Sequence, residues 1–414
     1  MGTTPNPINA GDTAWVLASS ALVLLMTAPG LALFYGGMVR RKNVLGVLMQ
    51  CFICLALISV LWVVYAYSLA FGKGGPFMGG LDWFMLKGVG ADPNPDYAGT
   101  IPHSTFMIFQ AMFAVITPAL IIGSYAERMK FSAFLVFTTL WLTFVYCPIA
   151  HMVWGVDGFL HKLGALDFAG GTVVHMNAGI AGLVTALFLG KRLGVDKPGM
   201  HNVPLIVIGA SLLWFGWFGF NAGSALAANG LASNAFVTTN TATATAVLSW
   251  CLMEWIFAGK PTTVGAASGA VAGLVAITPA CGFVDLGGAL WIGLLVSVFC
   301  YCMVAFVKPK FGYDDTLDAF GVHCIGGFWG AMATGIFCTK LVNSAGADGL
   351  LLGNPGQVML QFYACVTTVI YTGIATAVIC FIVDKTIGMR VSQEEEIVGL
   401  DLTQHHERAY TILD

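Results

Sequence analysis

Asp167-Phe-Ala-Gly-Gly-Thr-Val-Val-His175-Met-Asn-Ala-Gly179-Ile-Ala-Gly182 is an apolar, glycine-rich stretch carrying one imidazole. Far downstream, Val322-His323-Cys-Ile-Gly-Gly327-Phe-Trp-Gly330 repeats its spacing, a Val-His pair followed by two glycines at the same offsets. On a helix those glycines fall one and two turns beyond the histidine, near its face. Each helix can then press its backbone on a neighbour while showing an imidazole inward. The plain alternative is two unrelated core histidines, each donating one hydrogen bond. A matched pair in matched contexts favours a buried two-histidine site, because ionisable groups inside a membrane are costly and usually functional.

Composition fixes the class. Of 414 residues, 57% are hydrophobic and 9% charged, far below the roughly 25% charge of soluble domains. A formal net charge of −3 offers no polybasic face, so nucleic acid is excluded as a partner. The cysteines lie mostly inside apolar stretches, where a thiol behaves as a small hydrophobe. Cys51-x-x-Cys54 falls within one such stretch and reads as packing rather than as a redox or metal motif. No cofactor, metal or enzymatic reaction is expected. Met1 to Thr13 has neither a basic region nor a cleavage site, so no signal peptide is expected.

Apolar runs long enough to cross a bilayer are predicted at 13–36, 44–71, 103–124, 131–151, 171–189, 205–225, 235–257, 264–279, 287–307, 318–337 and 358–383. The fold class is therefore an all-α polytopic membrane protein with eleven transmembrane helices over residues 1–383 and a tail over 384–414. Lys73, Lys87, Lys162 and Lys340 fall in loops on one side, and the other fourteen of the eighteen Lys and Arg residues fall on the opposite side. By the positive-inside rule the amino terminus lies outside and the carboxyl terminus in the cytoplasm, which places the chain in the cytoplasmic membrane.

Spans one to five and six to ten are expected to be inverted repeats, with an eleventh helix outside them. The histidine motifs then occupy the last helix of each half. A weaker echo joins Phe34-Tyr-Gly-Gly37, at the end of span one, to Phe220-Asn-Ala-Gly223, at the end of span six. Such repeats place a substrate route at the interface between the halves, near the bilayer midplane.

Other polar and aromatic residues in the spans are few. Trp214-Phe-Gly-Trp217-Phe-Gly-Phe220-Asn-Ala-Gly-Ser224 puts rings among glycines with a hydroxyl at the outer end, and His151-Met-Val-Trp154 and Phe109-Gln-Ala-Met-Phe113 add more rings. Each stripe reads as packing or as an interfacial belt when taken alone. Together, rings beside a hydroxyl suit a small, partly dehydrated monovalent cation. Asp167 either caps the fifth span or adds negative potential for an arriving cation, and the two roles are compatible. Glu254 and Asp318, near predicted cytoplasmic helix ends, read as solvated or capping groups outside the pore.

These residues carry a resemblance. Pro29-Gly-Leu-Ala-Leu-Phe-Tyr-Gly-Gly37, Ala126-Glu-Arg128, Pro148-Ile-Ala-His-Met-Val-Trp-Gly155, the stretch from Asp167 to His175, Gly216 to Ser224, Thr278-Pro-Ala-Cys-Gly282 and Asp318-Ala-Phe-Gly-Val-His323 resemble the ammonium transporter family, the Amt/MEP/Rh proteins, over nearly the whole chain. The resemblance implies a homotrimer with one pore per subunit, carrying ammonium and methylammonium. It implies an outer recruitment site of Trp154, Phe113 and Ser224, supported by Asp167. It implies a phenyl gate of Phe113 and Phe220, and a pore of His175 and His323 lined by Trp217. Met112 stands beside the gate where the resemblance implies a small residue.

Physical logic points the same way. A bare ion crossing an apolar, phenyl-gated pore loses hydration worth several kcal/mol. Ammonium escapes that cost by handing off a proton and crossing as ammonia, and two imidazoles with opposed donor and acceptor nitrogens serve both species. On composition the tail, with Glu394-Glu-Glu396 and His405-His-Glu-Arg-Ala-Tyr410, reads as a solvated and partly disordered segment. By resemblance it is a regulatory terminus that docks beneath the pore and helps a cytoplasmic PII signal protein bind. His406 stands where that family usually has glycine. Two rival classes are a bis-histidine haem cytochrome and an ammonium sensor with a transporter-like body, against which stands the lack of an output domain after span eleven.

Overall fold

The computed structural model describes residues 8–194 and 199–410. Its helices are α1 (Ala10–Met38), α2 (Arg41–Phe71), α3 (His103–Tyr125), α4 (Phe131–Leu163), α5 (Gly171–Leu189), α6 (Val203–Gly223), α7 (Gly230–Ala258), α8 (Thr263–Ile277), α9 (Leu286–Phe311), α10 (Phe320–Phe337) and α11 (Pro355–Ile387). Two short helices follow in the tail, α12 (Gln393–Val398) and α13 (Leu400–His405). Among the described residues, ten helices are long and apolar enough to cross a membrane, and α8 is a shorter apolar helix of 15 residues. At 1.5 Å per residue α8 alone falls short of a bilayer core of about 30 Å. The buried turn 278–284 extends it.

Polar side chains at predicted helix starts close the first turns. Asn9 caps α1, Asn202 caps α6, Asn229 caps α7, Thr262 caps α8 and Asp285 caps α9, each accepting from backbone N–H groups of its helix. Glu254 accepts from the Thr262 backbone at 2.6 Å and from its hydroxyl at 2.9 Å, a capping role as expected.

Burial separates central from peripheral helices. In the most apolar window of α3, 89% of residues are buried, against 28% in α7. A helix apolar and buried all round lies inside a bundle, whereas α7 presents apolar side chains such as Leu248 and Trp255 outward. Wider π-helical turns interrupt α4 at Leu142–Tyr146, α5 at Gly171–Met176, α9 at Met303–Val307 and α10 at Phe320–Cys324. Such turns recur at functional positions, and here both histidines sit on one.

All four glycines of the matched motifs meet a backbone or side chain so closely that no Cβ fits. A Cβ on Gly179 would lie 2.5 Å from the Cys324 nitrogen, and one on Gly327 would lie 2.7 Å from the Gly171 carbonyl and 3.2 Å from the Met176 nitrogen. A Cβ on Gly182 would lie 2.2 Å from the Ser124 hydroxyl of α3, and one on Gly330 would lie 2.2 Å from the Ala276 carbonyl of α8. Helices α1 and α6 meet in the same manner, with Gly209 against the Phe34 nitrogen and Gly216 against Leu22 and Met26.

The tail-side loops hold buried charge. Glu127 and Arg128 are buried. Arg40 bonds Glu127 at 2.6 Å, and Arg192 pairs with Asp314 through two nitrogens at 2.9 Å and with Glu127 at 3.2 Å. Burial pushes the Asp314 carboxyl upward, yet the Arg192 hydrogen bonds and charge outweigh it and hold the group below its ordinary range.

The tail departs from its compositional reading as a partly disordered segment. Ser392 and Glu395 form a capping box that starts α12. Glu396 accepts from the Leu193 nitrogen at 2.6 Å and from Arg390 at 2.9 Å, Leu400 donates to Asn43 at 2.8 Å, and Asp401 accepts from the Gly46 nitrogen at 2.8 Å. These bonds hold the tail against the loops, where charge composition alone gave no sign of partners. His406 adopts φ 56° at the end of α13, the left-handed conformation that favours glycine.

Candidate functional site

Asp167 organises the start of α5. Its Oδ1 accepts from the Gly170 and Gly171 nitrogens at 2.8 and 2.6 Å, and its Oδ2 accepts from the Thr172 and Val173 nitrogens at 2.8 and 3.3 Å and from the Thr172 hydroxyl. Both oxygens are thus engaged by the first turn, and of its two expected roles capping is the one the geometry displays. The Asp167 carbonyl accepts from Trp154 Nε1 at 2.8 Å, so one residue fixes both the helix start and the indole.

The wide turn that follows presents His175. Its Nδ1 lies 3.3 Å from Nδ1 of His323, with ring planes 13° apart and centroids 5.4 Å apart. Both rings are almost wholly buried. Trp217 stacks on His175 at 5.2 Å and 16°. The indole is held by Thr278, whose hydroxyl oxygen accepts from Trp217 Nε1 at 2.8 Å. Thr278 lies 3.2 Å from Asn221 Oδ1, and Asn221 donates to Thr239 at 2.8 Å. His175 Nε2 has no hydrogen-bond partner among the described residues.

On the other side of His175 stand two phenyl rings. Phe220 is 6.0 Å from His175 and 4.3 Å from Phe113, tilted by 36°. Phe113 meets Trp154 edge-on at 5.9 Å. Met112 is buried beside this pair, and its bulk leaves the Phe113–Phe220 contact intact. Beyond the rings opens a cavity of about 210 Å3 lined by Phe113, Trp154, Ser224, Gln110, Tyr97 and Asp96, among others. Ser224 gives its hydroxyl proton to the Phe220 carbonyl at 2.8 Å, which leaves the oxygen's lone pairs for another donor.

Past His323 lies a smaller cavity of about 30 Å3, lined in part by Tyr35, Trp250, Asp318 and Val322. Tyr35 donates to the Leu120 carbonyl at 3.0 Å. Asp318 is bonded to Lys308 at 2.6 Å. Its side chain is 23% exposed, and it also borders the small cavity next to His323. His151 lies elsewhere. It is fully buried, with Nδ1 3.0 Å from the Ala70 carbonyl and Nε2 2.9 Å from the Gly75 carbonyl, so it ties α4 to the end of α2 and the loop after it.

Every residue expected at the site, Trp154, Phe113, Ser224, Phe220, His175, His323, Trp217 and Asp167, falls on this one line of contacts. Sequence reasoning missed Gln110, Thr278, Asn221 and Trp250. Gln110 and Thr278 stand inside stretches singled out for their neighbours, but nothing marked their own roles. Gln110 Oε1 and Trp250 Nε1 are buried without a hydrogen-bond partner among the described residues. Among those residues there is no cluster of three or more His, Cys, Asp or Glu suited to a metal ion.

Comparison with known proteins agrees with this geometry. The Ammonium Transporter Family matches residues 14–410. The chain is 54% identical over 400 residues to an ammonium transporter of Bacillus subtilis (strain 168), covering 97% of this chain and 98% of that protein. It is 49% identical to the ammonium transporter Amt1 of Archaeoglobus fulgidus, covering 97% and 99%. Among solved structures, Mep2 of Candida albicans superposes with a TM-score of 0.89 at 36% identity, covering 97% of this chain and 90% of that one. A "Sensor Amt Protein" superposes at 0.86 with 26% identity, covering 95% and 98%. An unbroken run of rings from a ring-lined hollow to paired imidazoles, on a chain matched nearly end to end, leads to one assignment: this protein belongs to the Ammonium Transporter Family.

Proposed function

We propose that the chain carries ammonium and methylammonium across the cytoplasmic membrane, and that it does so by binding the cation in the outer cavity, taking off one proton, and passing ammonia along the two histidines. The observation that carries this reading is the sequence of ring contacts Trp154–Phe113–Phe220–His175–His323. Trp154 and Phe113 attract the cation through their faces. Ser224 and Gln110 supply oxygens that accept its hydrogens. Asp167 holds the indole in place through its carbonyl.

At the Phe113–Phe220 gate hydration is lost, and with it the standing of any ion that cannot shed its charge. Ammonium divides into ammonia and a proton. Only one hydrogen fits between the two Nδ1 atoms, so one histidine keeps a bare Nε2 and the other an Nε2–H. The bare nitrogen takes a proton, the shared hydrogen shifts across, and the second Nε2 releases its own. The transporter thereby moves ammonia and charge by separate routes through one site. Whole-chain identity near 50% to transporters, against 26% to the sensor structure, favours transport over sensing.

Eleven spans with the amino terminus outside and the tail in the cytoplasm fit the Lys and Arg asymmetry. A 5+5 inverted repeat is supported by the glycine contacts: Gly179 and Gly327 exchange the same contact between α5 and α10, while Gly182 against α3 and Gly330 against α8 match under the same exchange. The division into a transmembrane unit over 1–383 and a regulatory tail over 384–414, the homotrimer and a PII partner at the tail face complete the reading, and they rest on family resemblance. Purified protein in proteoliposomes, pulsed with ammonium and with potassium, tests the whole: a current with ammonium alone is the expected result.

A further inference from the structure

We propose that Asp96 and His161 set the charge at the mouth of the ring-lined cavity, so that Asp96 draws ammonium in and protonation of His161 turns it away as the medium acidifies. The proposal rests on the reading that ammonium binds in this cavity, and adds the residues that decide how tightly it binds at a given pH. Both line the cavity of about 210 Å3 that also holds Trp154, Phe113 and Ser224. Asp96 comes from the loop between α2 and α3, His161 comes from the last turn of α4, and both are exposed. Neither side chain makes a hydrogen bond or ion pair with the described residues.

The other charged and titratable groups around them are engaged elsewhere. Asp157 and Lys162, which flank His161 in α4, are bonded to each other at 3.2 Å. Tyr97, next to Asp96, donates to the Phe71 carbonyl at 2.6 Å. Asp167 spends both oxygens on the first turn of α5. His151, deeper in α4, lies between the Ala70 and Gly75 carbonyls, and His103, at the start of α3, bonds the Tyr67 hydroxyl at 2.5 Å. Among the described residues that line the cavity, Asp96 is the one acid and His161 the one imidazole.

A carboxylate with no cation of its own gives the cavity a negative potential, and walls of rings focus it. The rings and Ser224 act on ammonium at contact, whereas Asp96 acts on its approach. An exposed imidazole gains a proton between about pH 8 and about pH 5. With that proton, His161 puts a like charge on the wall and cancels the field of Asp96. Bound ammonium and a proton on His161 then oppose each other by the same factor, whichever arrives first. Neutral ammonia feels neither charge, so the pair selects the cation at the entrance.

The test is the half-saturating ammonium concentration of the full chain in proteoliposomes, read as current with the medium at about pH 7.5 and at about pH 5.5. In wild type it should rise about fivefold on acidification, with little change in maximal current. H161Q should remove that rise, and H161K should impose the raised value at both pH values. D96N should raise half-saturation about threefold at the higher pH, and all these differences should shrink at high salt. A His161 that only packed would shift H161Q and H161K in the same direction, and that result overturns the proposal. An equal rise on acidification in wild type and H161Q overturns it, as does wild-type half-saturation in D96N at low salt. No ammonium current in wild type at either pH is the distinct result that removes the transport reading, and the proposal with it.

Discussion

The Nδ1 atoms of His175 and His323 lie 3.3 Å apart, with the rings almost parallel. A hydrogen bond between two identical nitrogens needs one donor and one acceptor, so the rings are held as opposite tautomers. The pair therefore has polarity, with an acceptor nitrogen at one end and a donor N–H at the other. Each proton transfer reverses it. Trp217 stacked on His175 and the reciprocal glycine contacts keep the rings from turning out of line.

Thr278 is expected to matter through Trp217. Thr278→Val removes the acceptor of a buried indole N–H, at a cost of about 1–3 kcal/mol, and frees the ring that backs His175. Ammonium flux should fall while Thr278→Ser restores it. Unfolding midpoints and proteoliposome currents on the two variants check this.

Trp154→Leu should weaken recruitment by about 0.5 to 2 kcal/mol, seen as a higher half-saturating ammonium concentration with little change in maximal flux. Gln110→Leu should act in the same direction. An unchanged half-saturation in both variants would show that the cavity rings only pack.

Gly179→Ala and Gly327→Ala should destabilise the protein by similar amounts, about 1–3 kcal/mol each, because each Cβ meets the backbone beside the opposite histidine. Gly75→Ala, where nothing lies within 4 Å of the new Cβ, should be neutral. Thermal unfolding of the three variants checks the symmetry: unequal costs would speak against a twofold relation between the halves.

Asp314 gives the tail-side loops a pH dependence. Its carboxyl is held below the ordinary value in the folded state. The stability it contributes is therefore present above the unfolded pKa and is lost as pH falls through the folded one. Arg192→Gln removes the main partner that holds it down and leaves Arg128 at 4.0 Å, which should move the loss to higher pH. Unfolding midpoints measured from neutral to acid pH in both proteins report the shift.

Much of this was legible in the sequence. Apart from α4, which runs twelve residues past its predicted end, each helix lies within about five residues of its predicted span, because a bilayer demands long apolar runs and those cannot hide. His175 and His323 announced their meeting through repeated glycines, since only a glycine admits another backbone at that distance. What stayed hidden depends on tertiary partners. Thr278 looks like any hydroxyl in a turn until Trp217 is placed on it. Asp318 borders the chamber beside His323, which its spacing in the sequence does not reveal. The tail looked disordered because Glu396 and Asp401 find partners, Leu193 and Gly46, far away in sequence.

The most direct measurement is a pair of currents, ammonium and potassium, through proteoliposomes holding wild type, His175→Asp or His323→Glu. Wild type should pass ammonium and reject potassium. A carboxylate in place of either imidazole keeps proton exchange but adds negative charge that lowers the barrier for an intact cation, so each variant should admit potassium. If both variants keep wild-type ammonium current and still reject potassium, the histidine pair is scaffolding and does not carry the proton.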